Sequence, residues 1–183
     1  YKDIDYYKGN FEQPYKISND HKVSIFHVRE YEIAKLNLIQ KPIDIFTSHD
    51  WPSDAIAEKD YATIIKRKPF WEEEIKRKGL GSFPSQYLLN LLKPKFRLSS
   101  HMHFYYKNTI VHNSTQSTTF IALDKIIDKN RQFLDFIEIE VDQDEFNKEE
   151  LHFDAEWLGI CKTMGYYFPS ENQHYKMRNM MTN

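Results

Sequence analysis

The sequence has almost no cysteine: Cys161 is the single one in 183 residues. A disulfide framework within the chain is therefore excluded, and the expectation is a protein of a reducing compartment such as cytosol or nucleus. No run approaches the roughly 18 apolar residues of a membrane span, so no membrane partner is expected. The amino terminus, Tyr1-Lys2-Asp3-Ile4-Asp5, is polar and lacks the apolar stretch of a secretory signal. It also lacks an initiator methionine, and the chain is expected to start inside a larger protein. An excess of one charge is missing too. The 25 basic residues meet 27 acidic ones, for a net charge of −2. Composition thus offers no basic footprint for a nucleic-acid partner. No internal repeat is visible.

What is present is a folding sequence. Hydrophobic residues make up 40% and aromatics 15%, enough to build a core in one ordinary domain. Residues 1–22 have little periodicity, contain Gly9 and Pro14, and read as a long loop. Val23 to Val28 alternates and predicts a strand; Glu30 to Leu38 predicts a helix. Ile43 to Thr47 predicts a short strand ending at Ser48-His49-Asp50-Trp51-Pro52. Residues 53–82 mix helix formers with basic clusters at 66–68 and 76–78 and close at Gly79-Leu80-Gly81-Ser82. Ser85 to Leu92 predicts a helix with Leu88, Leu91 and Leu92 on one face and Pro94 just past its end. Phe96 to Ser100, Phe104 to His112, Thr118 to Leu123 and Phe133 to Val141 predict strands. Residues 142–150 are acidic and read as solvated. Asp154 is placed to cap a helix from Ala155 to Met164, with Trp157, Leu158 and Cys161 on its apolar side. The order suits a mixed sheet covered by helices, an α/β (α+β) fold.

Three histidines stand where chemistry gathers. His101-Met102-His103 follows a predicted strand, and in an extended segment residues i and i+2 point to the same side. Two imidazoles on one side can grip one metal ion, or one ion each of a close pair, since zinc, manganese and iron all accept imidazole nitrogen. The alternative is two polar side chains on an exposed strand face. His49 ends another strand beside Asp50. It is either a ligand oriented by the Asp50 carboxylate or a histidine satisfied by backbone, with Asp50 capping the turn. Both signals fall at carboxyl ends of strands, where α/β sheets collect ligands. Three histidines alone do not complete a two-metal phosphoesterase site, which needs a bridging carboxylate. In the first loop, Tyr6, Tyr7 and Phe11 can stack on bases and Lys2 and Lys8 can meet phosphates; the alternative is an aromatic loop packed on its own domain. The basic clusters can track an RNA backbone or form solvated helix faces. Cys161 reads as a small buried apolar residue.

Around these residues the sequence resembles the RNA lariat debranching enzymes. Ile43 to Pro52, IDIFTSHDWP, is similar to their strand and His-Asp-Trp-Pro motif. In the family's order follow Lys68-Pro69-Phe70, Leu80-Gly81-Ser82, Leu88 to Pro94, Phe96 to His103, Phe120 to Lys125 (FIALDK), Phe133 to Glu138 and Phe153 to Leu158 (FDAEWL). Upstream, Asp5 to Glu12 (DYYKGNFE) and Ser24 to Glu30 (SIFHVRE) are also similar. The resemblance implies the later portion of a calcineurin-like metallophosphoesterase β-sandwich flanked by helices. It implies a division into residues 1–22, a lariat-recognition-like loop, residues 23–141, the second half of that domain, and residues 142–183, the start of a C-terminal segment. It implies hydrolysis of the 2′,5′-phosphodiester bond at the branch point of excised introns during mRNA processing, in the nucleus with possible shuttling to the cytoplasm. The partner is then branched (lariat) RNA, and the cofactors two divalent ions, iron(II), zinc or manganese(II).

By the same resemblance His49 and His101 bind one ion, held also by an asparagine and a bridging aspartate, and His103 binds the other. Asp50 and Trp51 stand behind these ligands, and Lys2, Tyr6, Tyr7, Lys8 and Phe11 belong to the substrate loop. Ile4 and Asn10 depart from the family pattern, which often has histidine there. No general-acid histidine is assigned in this chain; it, the aspartate and the asparagine come from motifs such as Gly-Asn-His-Glu near the family's amino terminus, which this sequence does not contain. The N-terminal remainder of the domain is thus needed to complete the site, and the chain alone is expected to be inactive. Without it, apolar surface near Ile43 to Phe46 is expected to lie uncovered. Two alternatives stand beside this reading: a phosphoesterase of linear nucleic acid or small phosphoesters, and a non-catalytic remnant that binds RNA or a partner.

Overall fold

A computed structural model of the chain describes Tyr6 and residues 26–126, 131–141 and 152–167. Helix α1 (Glu30–Asn37) carries Glu30 and Glu32 in its first turn and Lys35 in its last, the charge order that suits the helix dipole. Strand β1 (Ile45–Thr47) follows. Residues 58–76 then wind through two short 3-10 turns and the helices α2 (Tyr61–Arg67) and α3 (Glu72–Lys76). Helix α4 (Phe83–Leu92) leads to β2 (Phe96–Ser99), β3 (Tyr106–Val111) and β4 (Ser117–Ala122). Helix α5 (Ala155–Gly165) comes last.

The four strands make one sheet in the order β1-β2-β4-β3. β1 pairs β2 and β2 pairs β4 in parallel, whereas β3 and β4 form an antiparallel hairpin. This is the mixed α/β arrangement that the alternation of elements predicts. The main core lies on one side of the sheet: Trp51, Ile64, Trp71, Ile75, Leu80, Phe104, Tyr106 and Phe120 are all buried together. A second, smaller cluster joins α1 to α5 through Tyr31, Ala34, Ile160 and Met164, and the Tyr31 hydroxyl donates to the Met164 carbonyl at 3.0 Å.

Helix boundaries follow local chemistry. The Ser82 hydroxyl accepts from the Ser85 amide to open α4, and Lys93, at φ 43°, turns the chain out of it before Pro94. Asp154 opens α5 by accepting from the Trp157 amide at 2.7 Å. That bond, with the Lys41 ion pair behind it, holds the Asp154 carboxyl below its ordinary range.

Several expectations are corrected. Residues 133–141 form no strand and do not pair with the sheet, and Leu134 and Phe136 stay exposed. Asp135 instead ties the segment to β3 and the residue before it, pairing with Lys107 at 3.7 Å and accepting from the Tyr105 hydroxyl at 3.0 Å. The strand expected over 23–28 is absent at 26–28, where the chain turns, and its start lies outside the described residues. On α4 the buried stripe is Ser85, Leu88 and Leu89, an i, i+3, i+4 face, while Leu91 is exposed. Two apolar stripes compete there, and the one facing α1 and the sheet wins. On α5 the buried residues are Ile160 and Met164, with Trp157 packed against them; Leu158 is exposed and Cys161 only partly buried. The acidic stretch at 142–150 lies outside the described residues.

Among the described residues β1 is an edge strand, but Ile43, Ile45 and Phe46 are only partly exposed rather than left uncovered. Ile43, Ile45 and Phe46 line an open cleft of about 420 Å3 with Leu36, Ile39 and Trp157. Among the described residues no helix is long and apolar enough to cross a membrane.

Candidate metal centre

The site begins with strand register. Thr47 of β1 stands opposite Leu98 of β2, and the ladder continues past both strand ends. The Ser48 amide donates to the Leu98 carbonyl at 3.0 Å and the Ser100 amide to the His49 carbonyl at 3.2 Å. Two neighbouring parallel strands thus release their chains at the same carboxyl end. His49 leaves one and His101 the other, side by side.

Their rings meet edge to face, centroids 4.4 Å apart at 79°, with the two Nδ1 atoms 3.0 Å apart. Asp50 Oδ1 lies 3.6 Å from His49 Nδ1 and 3.7 Å from His101 Nδ1. Donor atoms around a tetrahedral ion with arms of 2.0–2.1 Å stand about 3.3 Å apart. The three observed separations bracket that value. Two imidazole nitrogens and a carboxylate oxygen are also a donor set that zinc, iron and manganese accept. The arrangement therefore fits a divalent cation. Partial burial holds the His101 pKa below its ordinary value, His49 adds to that, and Asp50 opposes it. A neutral ring keeps the lone pair that a metal ion needs.

His103 lies outside this cluster of His49, Asp50 and His101. The same-side argument for His101 and His103 does not hold, because residues 101–103 are not extended. They form consecutive bends with His101 at φ 53° and His103 at φ 49°. Left-handed backbone at a residue other than glycine costs of the order of 1–3 kcal/mol, so the surroundings must impose it. One constraint is Met102, which packs against the main core between the two histidines. The His103 carbonyl accepts from Arg131 Nη1 at 3.4 Å, and Arg131 is paired to Asp124 at 3.0 Å.

Asp50, expected behind the ligands, places its carboxylate beside both ring nitrogens, at 3.6 and 3.7 Å. Trp51 is a core residue. It is 1% exposed, stacks on Tyr106 at 5.9 Å, and meets Phe120 and Trp71 edge to face. Its indole N–H donates to the Ser100 carbonyl at 2.8 Å, so the residue after Asp50 is tied to the residue before His101. Of the proposed substrate loop, Tyr6 is partly buried, and Lys2, Tyr7, Lys8 and Phe11 lie outside the described residues. The basic cluster at 76–78 is paired with acids: Lys76 with Glu72, Arg77 with Glu74, Lys78 with Asp54 and Glu58. That is a solvated helix face. In the other cluster, Arg67 lies over the Phe104 ring at 4.7 Å.

A cleft of about 340 Å3 opens beside the cluster, between His101–Met102 and the segment from Glu74 to Phe83. Gly81 is part of its wall, at φ 115°, and a Cβ there would come within 2.7 Å of the Trp51 carbonyl. That carbonyl already accepts from the Ser82 amide at 2.9 Å. Gly81→Ala is therefore expected to lower unfolding free energy by about 1–3 kcal/mol. Urea denaturation checks this, and an unchanged midpoint would contradict the close approach.

Sequence reasoning missed four residues around the cluster: Ser48, Ser85, Ser99 and Arg97. The three hydroxyls converge on the Asp50 carbonyl, at 2.7, 3.5 and 3.1 Å. Small hydroxyl residues carry no periodic signal, and an arginine in a strand reads as exposed.

Parallel strands that deliver two histidines and a carboxylate to one end of a sheet define an α/β protein with a candidate metal centre. Comparison with known proteins gives its kinship. Residues 115–183 match the family described as Lariat debranching enzyme, C-terminal domain. The lariat debranching enzyme of Arabidopsis thaliana is 38% identical over 171 residues, 92% of this chain. That of Homo sapiens is 37% identical over 168 residues, 88% of the chain, and that of Schizosaccharomyces pombe 40% over 119 residues, 63% of the chain. The chain covers 40%, 30% and 25% of these three proteins. It is a segment belonging to the lariat debranching enzyme family.

Proposed function

We propose that this chain is part of a metal-dependent phosphodiesterase that hydrolyses the 2′,5′ bond at the branch point of lariat RNA. One observation carries the reading. Two histidines and an aspartate converge at ligand spacing, in a chain 38% identical over 92% of its length to a lariat debranching enzyme. His49, His101 and Asp50 hold one divalent ion in this reading, and His103 serves a second. The ions, iron(II), zinc or manganese(II), would supply charge neutralisation at the phosphate and a lowered pKa for the attacking water. The chain's own residues hold and orient. His49 and His101 present their Nδ1 lone pairs, Asp50 balances charge, and the adjoining cleft receives the RNA backbone.

The reading extends to the whole protein. The remainder of a calcineurin-like sandwich supplies the bridging aspartate, the asparagine and the general-acid histidine. Residues 1–22 form the lariat-recognition loop, residues 23–141 the second half of the phosphoesterase domain, and residues 142–183 the start of the C-terminal segment. The proposed location is the nucleus, with shuttling to the cytoplasm.

The test compares branched and linear RNA. With added Mn2+, the full-length protein is expected to release the branch and leave linear 3′,5′-linked RNA intact, while the 183 residues alone show no robust turnover. Equal cleavage of linear RNA would overturn branch specificity, and RNA binding without cleavage would make the protein a non-catalytic binder.

A further inference from the structure

Arg97 is the most unusual side chain in the described residues. It is 0% exposed, and no carboxylate pairs with it there. Burial pulls its pKa down to about 9, which still leaves a cation at neutral pH. Its Nε and Nη1 find no hydrogen-bond partner. The guanidinium rests on the Phe46 ring, 4.1 Å from the centroid, and gives two hydrogen bonds, both from Nη2: to Ser48 Oγ at 2.6 Å and to Ser85 Oγ at 2.5 Å. An isolated buried charge is costly, and apolar residues of similar volume often replace such groups without loss. Stability does not explain its presence.

Proton direction offers an explanation. Guanidinium only donates. Each hydroxyl that accepts from it must send its own proton elsewhere, and for both serines the acceptor is the Asp50 carbonyl, at 2.7 Å from Ser48 and 3.5 Å from Ser85. Ser99 adds a third hydroxyl at 3.1 Å. Without the cation, Ser48 is free to turn its proton to Ser99, 3.4 Å away. Hydrogen bonds polarised in series from a charge are also stronger than the same bonds alone. The carbonyl so gripped belongs to one member of the cluster and directly follows another.

We propose that Arg97 is a positioning residue for the candidate metal centre: through Ser48 and Ser85 it locks the His49–Asp50 turn in the orientation that faces His101. The inference rests on the metal reading given above, and goes beyond it in assigning a buried cation that touches neither metal nor substrate.

The test uses full-length protein and Arg97→Met, which keeps length and apolar bulk, with Ser48→Ala as a second variant that removes only the relay hydroxyl. Two quantities are read: affinity for Co2+ alone, from its visible absorption, and hydrogen exchange of the Trp51 indole N–H in metal-free protein. Arg97→Met is expected to melt at or above the wild-type temperature, yet to bind Co2+ at least about tenfold more weakly, as when an outer partner of a metal ligand is lost. Its indole exchange is expected to quicken by a similar factor, because the bond to Ser100 spans the same two loops. Ser48→Ala shifts both readouts in the same direction. Unchanged Co2+ affinity and exchange in a folded Arg97→Met, or in Ser48→Ala should the first not fold, overturn the proposal. Wild-type protein that binds no Co2+ overturns the metal reading, and this inference with it, whereas tight binding indifferent to Arg97 overturns this inference alone.

Discussion

Replacing His101 with alanine in the full-length protein is expected to lower affinity for the first divalent ion by more than about 100-fold and to abolish branched-RNA cleavage. The bound is set by comparison: loss of a second-layer partner alone costs 10–100-fold, and His101 is a donor itself. It sits 3.0 Å from His49 and 3.7 Å from Asp50, so its removal leaves two of the three donors that this segment supplies. His49→Ala is expected to do the same. Asp50→Asn is the sharper variant. It keeps an oxygen but removes the charge, and if Asp50 only orients the histidines, affinity falls no further than an outer partner allows. His103→Ala is the control, since His103 lies outside the cluster: the first ion binds within a few-fold of wild type, and any loss appears in a second binding event. Isothermal titration with Zn2+ or Mn2+ separates the two events. A His101→Ala protein that retains wild-type affinity would remove the centre from this place in the fold.

The fold and the site were legible in the sequence to different depths, for physical reasons. Strand ends at Thr47 and Ser99 follow from short β-prone runs that meet turn chemistry, and their parallel pairing sets His49 beside His101. Proximity therefore followed from placing both histidines at strand ends. The pairing of His101 with His103 did not survive, because its premise was an extended backbone and the chain instead takes two left-handed turns there. Nothing in His-Met-His announces positive φ; the turn is imposed from outside, in part by packing Met102 against the core. The strand expected at 133–141 fails because alternation describes a segment's own preference, whereas a strand requires backbone pairing with a neighbour, which this segment does not make although β3 lies beside it. The Arg97 network was illegible, since its meaning lies in which acceptors surround the guanidinium, and those, Ser48 just past β1 and Ser85 on α4, are far from Arg97 in the chain. Family motifs carried the remaining weight, because their order along the chain is information that spacing within any single motif lacks.

Trp51→Ala is expected to be the most destabilising single change among these residues, lowering unfolding free energy by about 3–5 kcal/mol, the range for deleting a buried aromatic side chain. Against a typical domain stability of about 5–15 kcal/mol, that is enough to leave a marginal protein partly unfolded. The indole is 1% exposed and touches Trp71, Tyr106 and Phe120 at 6.3, 5.9 and 5.3 Å between centroids. These neighbours come from the 3-10 turn before α3, from β3 and from β4, so the cavity left by alanine is walled by three elements that cannot all collapse into it. Trp51→Phe separates packing from positioning. Phenylalanine keeps much of the apolar contact and loses the N–H that reaches the Ser100 carbonyl. Its stability loss is expected to be clearly smaller than that of alanine, while affinity for the divalent ion falls, because the bond joins the residue after Asp50 to the residue before His101. Urea unfolding followed by circular dichroism, with ion titration on the same samples, gives both quantities. A Trp51→Ala protein within about 1 kcal/mol of wild type, the ordinary size of a point-mutation effect, would mean that the aromatic core does not form around this side chain. Trp51→Phe with native metal affinity would mean that the two loops hold their register without the indole.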